Sequence, residues 1–315
     1  MISGTSLQQM LTISNAVGAR SLSLQAPPGI TADAGQRSGV AAGGAPEKLN
    51  LWGSVSGDNN KYTGGSFIPA ADIPNAHSIN SSLNVSNVVL GADYLVAPTL
   101  ALGFSVAFDR GSGSTESFKN GVSNDGVKSV STKGTTYAPY LGWQISKDWA
   151  LDASMGWGDS DLSSSGVSGS AQRFFYGSNL NYTHWYGNWQ VTGKGGYLYG
   201  EERFGDLTGA SGTMVNTATK NKVDQWRLGV QAGYWMNGVM PYFGLAYSAD
   251  SRSTSADAAT QAATADLGKG AWLGSLGLNF ISLKNGMTGG IVYNQESGRD
   301  HSKRDSLMAN INLRF

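Results

Sequence analysis

The chain has 315 residues, of which 40% are hydrophobic and 14% charged, with no cysteine and a formal charge of +0. The missing cysteines exclude a disulfide scaffold, thiolate-held zinc, an iron–sulfur cluster and a thiol nucleophile. Lys+Arg 22 against Asp+Glu 22 leaves no basic excess for a nucleic-acid backbone. The charged fraction is well below the roughly 25% of a soluble domain, and no run of 18 apolar residues exists, so no helix is expected to span a bilayer alone.

The N-terminal stretch, MISGTSLQQMLTISN, lacks a basic segment followed by an apolar one. No secretory signal peptide is therefore expected, and the chain reads as a fragment of something larger. Thr5-Ser6-Leu7-Gln8-Gln9 has the Ser/Thr-x-x-Gln form of a capping box. Leu7, Met10, Leu11 and Val17 follow at partly helical spacing, and Pro27-Pro28-Gly29 stops any helix. A helix over residues 5–25 would measure about 30 Å. Its side chains are mostly Ser, Thr, Gln and Asn with one charge, Arg20, which suits a polar cavity better than lipid. Residues 1–28 are read as this helix, with Gln8, Asn15 and Arg20 as its polar contacts. Residues 29–47 are read as a flexible Gly/Ala linker. The competing reading of both is a disordered tail.

From Lys48 onward one theme repeats: about ten residues alternating with period 2, then a turn. In residues 99–109, Leu100, Leu102, Phe104, Val106 and Phe108 share one face, while Ala101, Gly103, Ser105, Ala107 and Asp109 share the other. In residues 149–158, Trp149, Leu151, Ala153, Met155 and Trp157 oppose Ala150, Asp152, Ser154, Gly156 and Gly158. The C-terminal segment sets Leu307, Ala309, Ile311, Leu313 and Phe315 against Ser306, Met308, Asn310, Asn312 and Arg314.

Twelve such segments are predicted, at 48–57, 84–96, 99–109, 132–146, 149–159, 172–186, 189–201, 222–236, 239–249, 270–282, 287–296 and 304–315. Short connections (Ala97-Pro98, Ser146-Lys147-Asp148, Tyr186-Gly187-Asn188, Met236-Asn237-Gly238, Lys284-Asn285-Gly286) alternate with long polar ones at 58–83, 110–131, 160–171, 202–221 and 250–269, and a shorter one at 297–303. Short turns and long loops in strict alternation predict an all-β fold: a 12-stranded antiparallel transmembrane β-barrel over 48–315, with the N-terminal helix in its lumen. A soluble sandwich or barrel also alternates, but its outward polar face would be strongly charged. Here the polar face is Gly, Ala, Ser, Asn and Gln, and aromatics cluster at strand ends, as at Trp143, Trp149, Trp157, Tyr186, Trp189, Tyr199, Trp235, Tyr242 and Trp272. The expected lumen wall includes Gly103, Ser105, Gly142, Asp152, Lys194, Gly196, Arg227, Gly229 and Gly244.

This pattern resembles the translocator domain of the classical monomeric autotransporters of type V secretion. Trp52-x-x-x-x-Gly57 looks like that family's Trp-centred opening. The Leu307, Ala309, Ile311, Leu313, Phe315 stripe is similar to the signature read by the outer-membrane barrel-assembly machinery, a feature common to many outer-membrane proteins. The resemblance implies a Gram-negative outer-membrane protein, monomeric, that exports an N-terminal passenger to the cell surface and anchors it, with no cofactor or metal. It also implies that the helix remains in the lumen as plug and tether. Some members cleave their passenger by cyclisation of a helix asparagine. Asn15, five residues before Arg20, loosely resembles that arrangement, with Asp93, Asp109 and Asp152 as candidate lumen carboxylates. The paired asparagines of the self-cleaving subfamily are absent, Ser14-Asn15-Ala16 standing there instead.

Two rival classes are weighed. A barrel phospholipase needs a wall-embedded Ser–His pair, yet the histidines are His77, His184 and His301, two in expected loops and one near a turn. An omptin-like protease would need rim pairs such as Asp300-His301 with Asp159 or Asp161, which polar loops supply by coincidence. A porin or small-solute channel is the better rival. It would want opposed charge rows, whereas Arg173, Lys194, Arg227, Asp152 and Arg314 are scattered.

Overall fold

The computed structural model describes residues 10, 12–14, 17, 48–64, 77–119, 122–164, 166–209, 212, 214–216, 219–255, 268–282 and 287–315. In chain order the strands are Leu49–Gly64 (β1), His77–Ala97 (β2), Leu100–Lys119 (β3), Val122–Gln144 (β4), Trp149–Ser164 (β5), Val167–Tyr186 (β6) and Trp189–Phe204 (β7). Leu207–Gly209 (β8) and Met214–Asn216 (β9) follow, then Thr219–Tyr234 (β10), Val239–Thr254 (β11), Gly270–Ser282 (β12), Met287–Ser297 (β13) and Ser302–Arg314 (β14). β8 and β9 form a three-residue hairpin annexed to β6 through Val167 opposite Gly209. The other twelve close a ring. Each pairs antiparallel with its neighbour, β7 with β10, and β1 with β14 from Asn50 opposite Arg314 to Tyr62 opposite Ser302. Closure leaves the wall of the ring without a free edge, which a structure in hydrocarbon requires.

The short connections have the chemistry their geometry demands. Asn237 and Gly238 both have positive φ, 51° and 99°, the signature of a type I′ hairpin turn. Gly187 supplies φ 59° between β6 and β7. At the β4–β5 turn the Ser146 hydroxyl accepts hydrogen bonds from the Asp148 and Trp149 amides.

At the opposite end the structure departs from the sequence reading. The stretch 110–131, expected as a polar loop, is mostly ladder: β3 continues to Lys119 and β4 starts at Val122, with a register shift near Glu116 and Gly126 at φ 69°. Parts of 58–83, 160–171, 202–221 and 250–269 are likewise strand. Beyond the bilayer both strand faces meet water, so the apolar/polar alternation that marks a strand in sequence fades while the backbone pairing goes on.

Along the spanning part, burial follows the alternation. Even residues of β5 are buried from Ala150 to Leu162, while Met155, Trp157, Asp159 and Asp161 are exposed. The outward face carries bare apolar side chains, among them Leu228 at 71%, Leu276 at 67% and Val230 at 52% exposure. Outward aromatics recur eight residues apart at Trp149/Trp157, Phe174/Tyr182, Trp189/Tyr197, Trp226/Tyr234 and Trp272/Phe280. Eight residues of strand span ~26 Å, which a tilt of about 40° reduces to roughly 20 Å, close to the apolar band of a membrane barrel. Two residues expected among the girdles differ. Tyr242 is on the inward face of β11, its ring lying over Gly277, and Trp235 is half-buried in the β10–β11 turn.

Candidate functional site

The lumen is the site. Met10, Ile13 and Val17 are helical and buried at 3%, 0% and 1% exposure, a spacing of three and four that makes one apolar stripe. They join Trp52, Val89, Ala107, Ala138, Tyr140, Phe175 and Leu198 in one cluster, which lies on the wall from β1 to β7. Glycines let the helix approach. A Cβ on Gly177 would stand 3.2 Å from the Ser14 hydroxyl, and one on Gly200 would stand 2.5 Å from the Met10 sulfur. The wall aromatics rest on glycine too, Trp52 over Gly91 and Tyr140 over Gly103, with Trp52 and Tyr140 edge-to-face at 5.9 Å.

The helix stripe meets an apolar patch of this wall, and a cavity with a largely polar inward lining lies beside it. Beside Thr12 lies a cavity of about 260 Å³ whose inward lining includes Lys194, Gly196, Arg227, Gly229, Gln231, Gly244, Ser275, Asn279, Asn294, Ser306, Asn310 and Asn312. Lys194 donates to Gln231 at 2.7 Å, and Arg227 to Gln225 at 3.0 Å. Gly103, Ser105, Gly142 and Asp152 also face inward, on the opposite wall.

The three candidate carboxylates do not converge. Asp93 accepts from the Tyr140 hydroxyl at 2.9 Å and Asn50 at 3.1 Å. Asp109 is ion-paired to Arg173 at 2.8 Å, and Arg173 also reaches Glu202 at 3.4 Å, all with side chains at most 4% exposed. Asp152 accepts from Asn179 at 2.6 Å. By register Asp93 and Asp152 are three strands apart, ~14 Å, and Asp109 is six residues further along the wall from Asp93's level, ~20 Å. Each is engaged by its own donors, so no carboxylate pair for acid–base chemistry forms among them. Gln8, Asn15 and Arg20 lie outside the described residues. Among the described residues no cluster of His, Asp and Glu could hold a metal ion.

A second ion network, unforeseen in the sequence, runs high on the opposite wall. Asp250 binds Arg252 at 2.7 Å and Arg299 at 2.8 Å, Arg299 binds Glu296 at 2.6 Å, and Arg304 binds Asp58 at 3.1 Å. Arg299 is in the turn between β13 and β14, past the membrane. Burial alone would lower its pKa, but Glu296 and Asp250 outweigh that and hold it above the usual arginine value. Parity could have found several of these residues, since Asp58, Asp250 and Arg304 all occupy inward positions of their strands.

The closed ring, lipid-facing girdles and seated helix are the architecture of a translocator barrel, and the comparisons decide the family. The family model for the autotransporter beta-domain matches residues 51–294. The chain belongs to the autotransporter β-domain family. Three solved translocators share its fold. The translocator domain of NalP from Neisseria meningitidis is 11% identical, with a TM-score of 0.62 over 90% of this chain and 96% of that one. The transport unit of AIDA-I from Escherichia coli is 10% identical, with a TM-score of 0.58 over 90% and 97%. The β-domain of Bordetella BrkA is 13% identical, with a TM-score of 0.57 over 85% and 100%. No curated protein matches the chain by sequence. This autotransporter β-domain is thus an outer-membrane translocator of type V secretion, which exports and anchors its own passenger domain and presents its long loops to the exterior.

Proposed function

We propose that residues 1–28 of this translocator form a lumen plug that tethers the exported passenger, joined to the barrel by the 29–47 linker. The observation that carries this reading is the stripe of Met10, Ile13 and Val17 buried on the apolar patch around Phe175 and Leu198. Under this reading Gln8, Asn15 and Arg20 are the plug's polar contacts. Gly103, Ser105, Gly142, Asp152, Lys194, Gly196, Arg227, Gly229 and Gly244 form a wall of small and polar groups that lets a chain slide past. Asn15 is a polar contact and not a cleavage site, and the barrel has no catalytic role; the separate hydrogen-bond partners of Asp93, Asp109 and Asp152 support this.

The barrel acts as a monomer, a reading supported by a ring closed on itself. The lipid-facing stripe of β14, with the terminal Phe315, is the segment offered to the assembly machinery. Leu307, Ile311 and Phe315 there are 56%, 42% and 58% exposed, and Phe315 exchanges backbone hydrogen bonds with Leu49 at the seam. Planar-bilayer conductance of the full chain and of a chain lacking residues 1–47 tests the plug. The shortened chain is expected to conduct several-fold more current, and equal currents would refute it. Replacing Asn15 by Asp is expected to leave passenger release unchanged on gels. The cavity beside Thr12 favours a second reading, a small-solute channel, for which the intact chain itself would show high steady conductance.

A further inference from the structure

Inside the barrel, Arg173, Arg299 and Arg304 each meet a carboxylate. On the outward face cations also stand opposite one another. The ladders set Arg110 directly opposite Lys133, Lys61 opposite Lys303, and Arg203 opposite Lys220. All six alternate in phase with lipid-facing residues and lie just past them towards the long loops. Arg110 is two residues beyond Phe108, Lys133 four beyond Tyr137, Arg203 four beyond Tyr199 and Lys303 four beyond Leu307. Directly opposed like charges weaken an antiparallel ladder, yet the arrangement recurs on three separate ladders at one end of the barrel. Local carboxylates relieve it only in part. Asp161 reaches Lys133 at 3.4 Å with both side chains more than 60% exposed, and Glu201 is shared between Arg203 at 2.6 Å and Lys220 at 2.9 Å. Among the described residues no ion pair relieves Arg110, Lys61 or Lys303.

We propose that these three cation pairs clasp the phosphates of a phosphorylated glycolipid in the outer leaflet. Side chains directly opposite in a ladder are about 5 Å apart at Cβ, so two long cationic arms can close on one phosphate, where charge-assisted hydrogen bonds form. The position favours a sugar phosphate over a phospholipid headgroup, because the pairs extend two to six residues past the girdle, ~5–15 Å along the normal. Beneath the Arg203–Lys220 pair the outward rings of Tyr176 and Tyr199 stack at 5.0 Å, and those of Tyr197 and Trp226 meet at 4.6 Å with a 49° tilt, an aromatic surface for a sugar or acyl chain. This inference rests on the translocator reading, which puts these strand ends outside the cell.

The test uses the full chain in detergent, titrated with bis-phosphorylated lipid A, with the same lipid dephosphorylated, and with phosphatidylglycerol. Lipid A is expected to bind at least tenfold more tightly than either of the others. Replacing all six cations by serine is expected to remove that preference, while Lys147→Ser in a short turn leaves it intact. Should the sixfold variant fail to fold, Lys61→Ser with Lys303→Ser is expected to reduce binding several-fold alone. Equal binding of the dephosphorylated lipid or of phosphatidylglycerol, or an unchanged affinity in the folded serine variants, would overturn the proposal. The orientation is checked separately, since the chain has no cysteine: a Lys61→Cys variant in intact cells should react with a membrane-impermeant thiol reagent.

Discussion

The indole of Trp52 lies across Gly91, its direct partner on the neighbouring strand, and occupies the space that any side chain at 91 would need. Its ring nitrogen donates to the Tyr140 hydroxyl, which in turn donates to Asp93. Gly91 thus makes room for the first of three hydrogen-bonded buried side chains on the wall that faces the helix, and Gly103 for the second.

Gly91→Ala is expected to push the indole aside and destabilise the barrel by about 1–3 kcal/mol, as overpacking does. Urea unfolding in micelles, followed by tryptophan fluorescence, measures it. Gly57→Ala on the same sheet, where a Cβ meets nothing within 4 Å, should be near neutral.

Ile13 is fully buried against the wall, so Ile13→Ala should weaken helix docking by roughly 2–4 kcal/mol. The expected outcome is faster proteolysis of the N-terminal segment and more frequent current openings, with the barrel's own heat-modifiable gel shift unchanged.

Arg173 stands between Asp109 and Glu202 with almost no exposure. Arg173→Met leaves two buried carboxylates uncompensated and should cost about 3 kcal/mol or more. Adding Asp109→Asn and Glu202→Gln should recover a large part of that loss. Absence of recovery in the triple variant would mean that the packing of the Arg173 stem, and not its charge, dominates.

Val230 lies midway between the girdle residues Trp226 and Tyr234 and faces outward, and its chain neighbour Gln231 faces the lumen. Val230→Arg should cost about 2–4 kcal/mol of stability in bilayers, whereas Gln231→Arg should cost much less. Equal costs would mean that the two faces meet the same solvent.

Gly238→Ala forces a side chain into φ 99° in the Asn237-Gly238 turn and should cost ~1–2 kcal/mol. Slower refolding into vesicles is the readout.

Much of the architecture was legible in the residues themselves. Phe104, Trp157 and Ile311 alternate with Gly103, Gly156 and Asn310 because a pleated strand between lipid and lumen shows each solvent every second side chain, and that period survives in one dimension. Asn237-Gly238 and Gly187 likewise announce their turns through φ angles that few other residues tolerate. The loops were less legible: residues such as Ser112 to Thr115 pair in β3 without any apolar rhythm, since water bathes both faces there. Tyr242 misled for a related reason, because aromatic character marks a girdle only when parity points it outward.

The amino-acid order alone therefore determined that this chain crosses a membrane as an even-numbered ring of strands, since alternation and turn chemistry are local properties. Only the tertiary structure decided which large inward side chains meet. Trp52, Tyr140, Phe175 and Leu198 come from four strands, and their union into a seat for Ile13 depends on ring closure and stagger. The separation of Asp93, Asp109 and Asp152 into three independent networks was decided in the same way. Distances around a closed wall follow from register, and register is a relation between strands that no single segment contains.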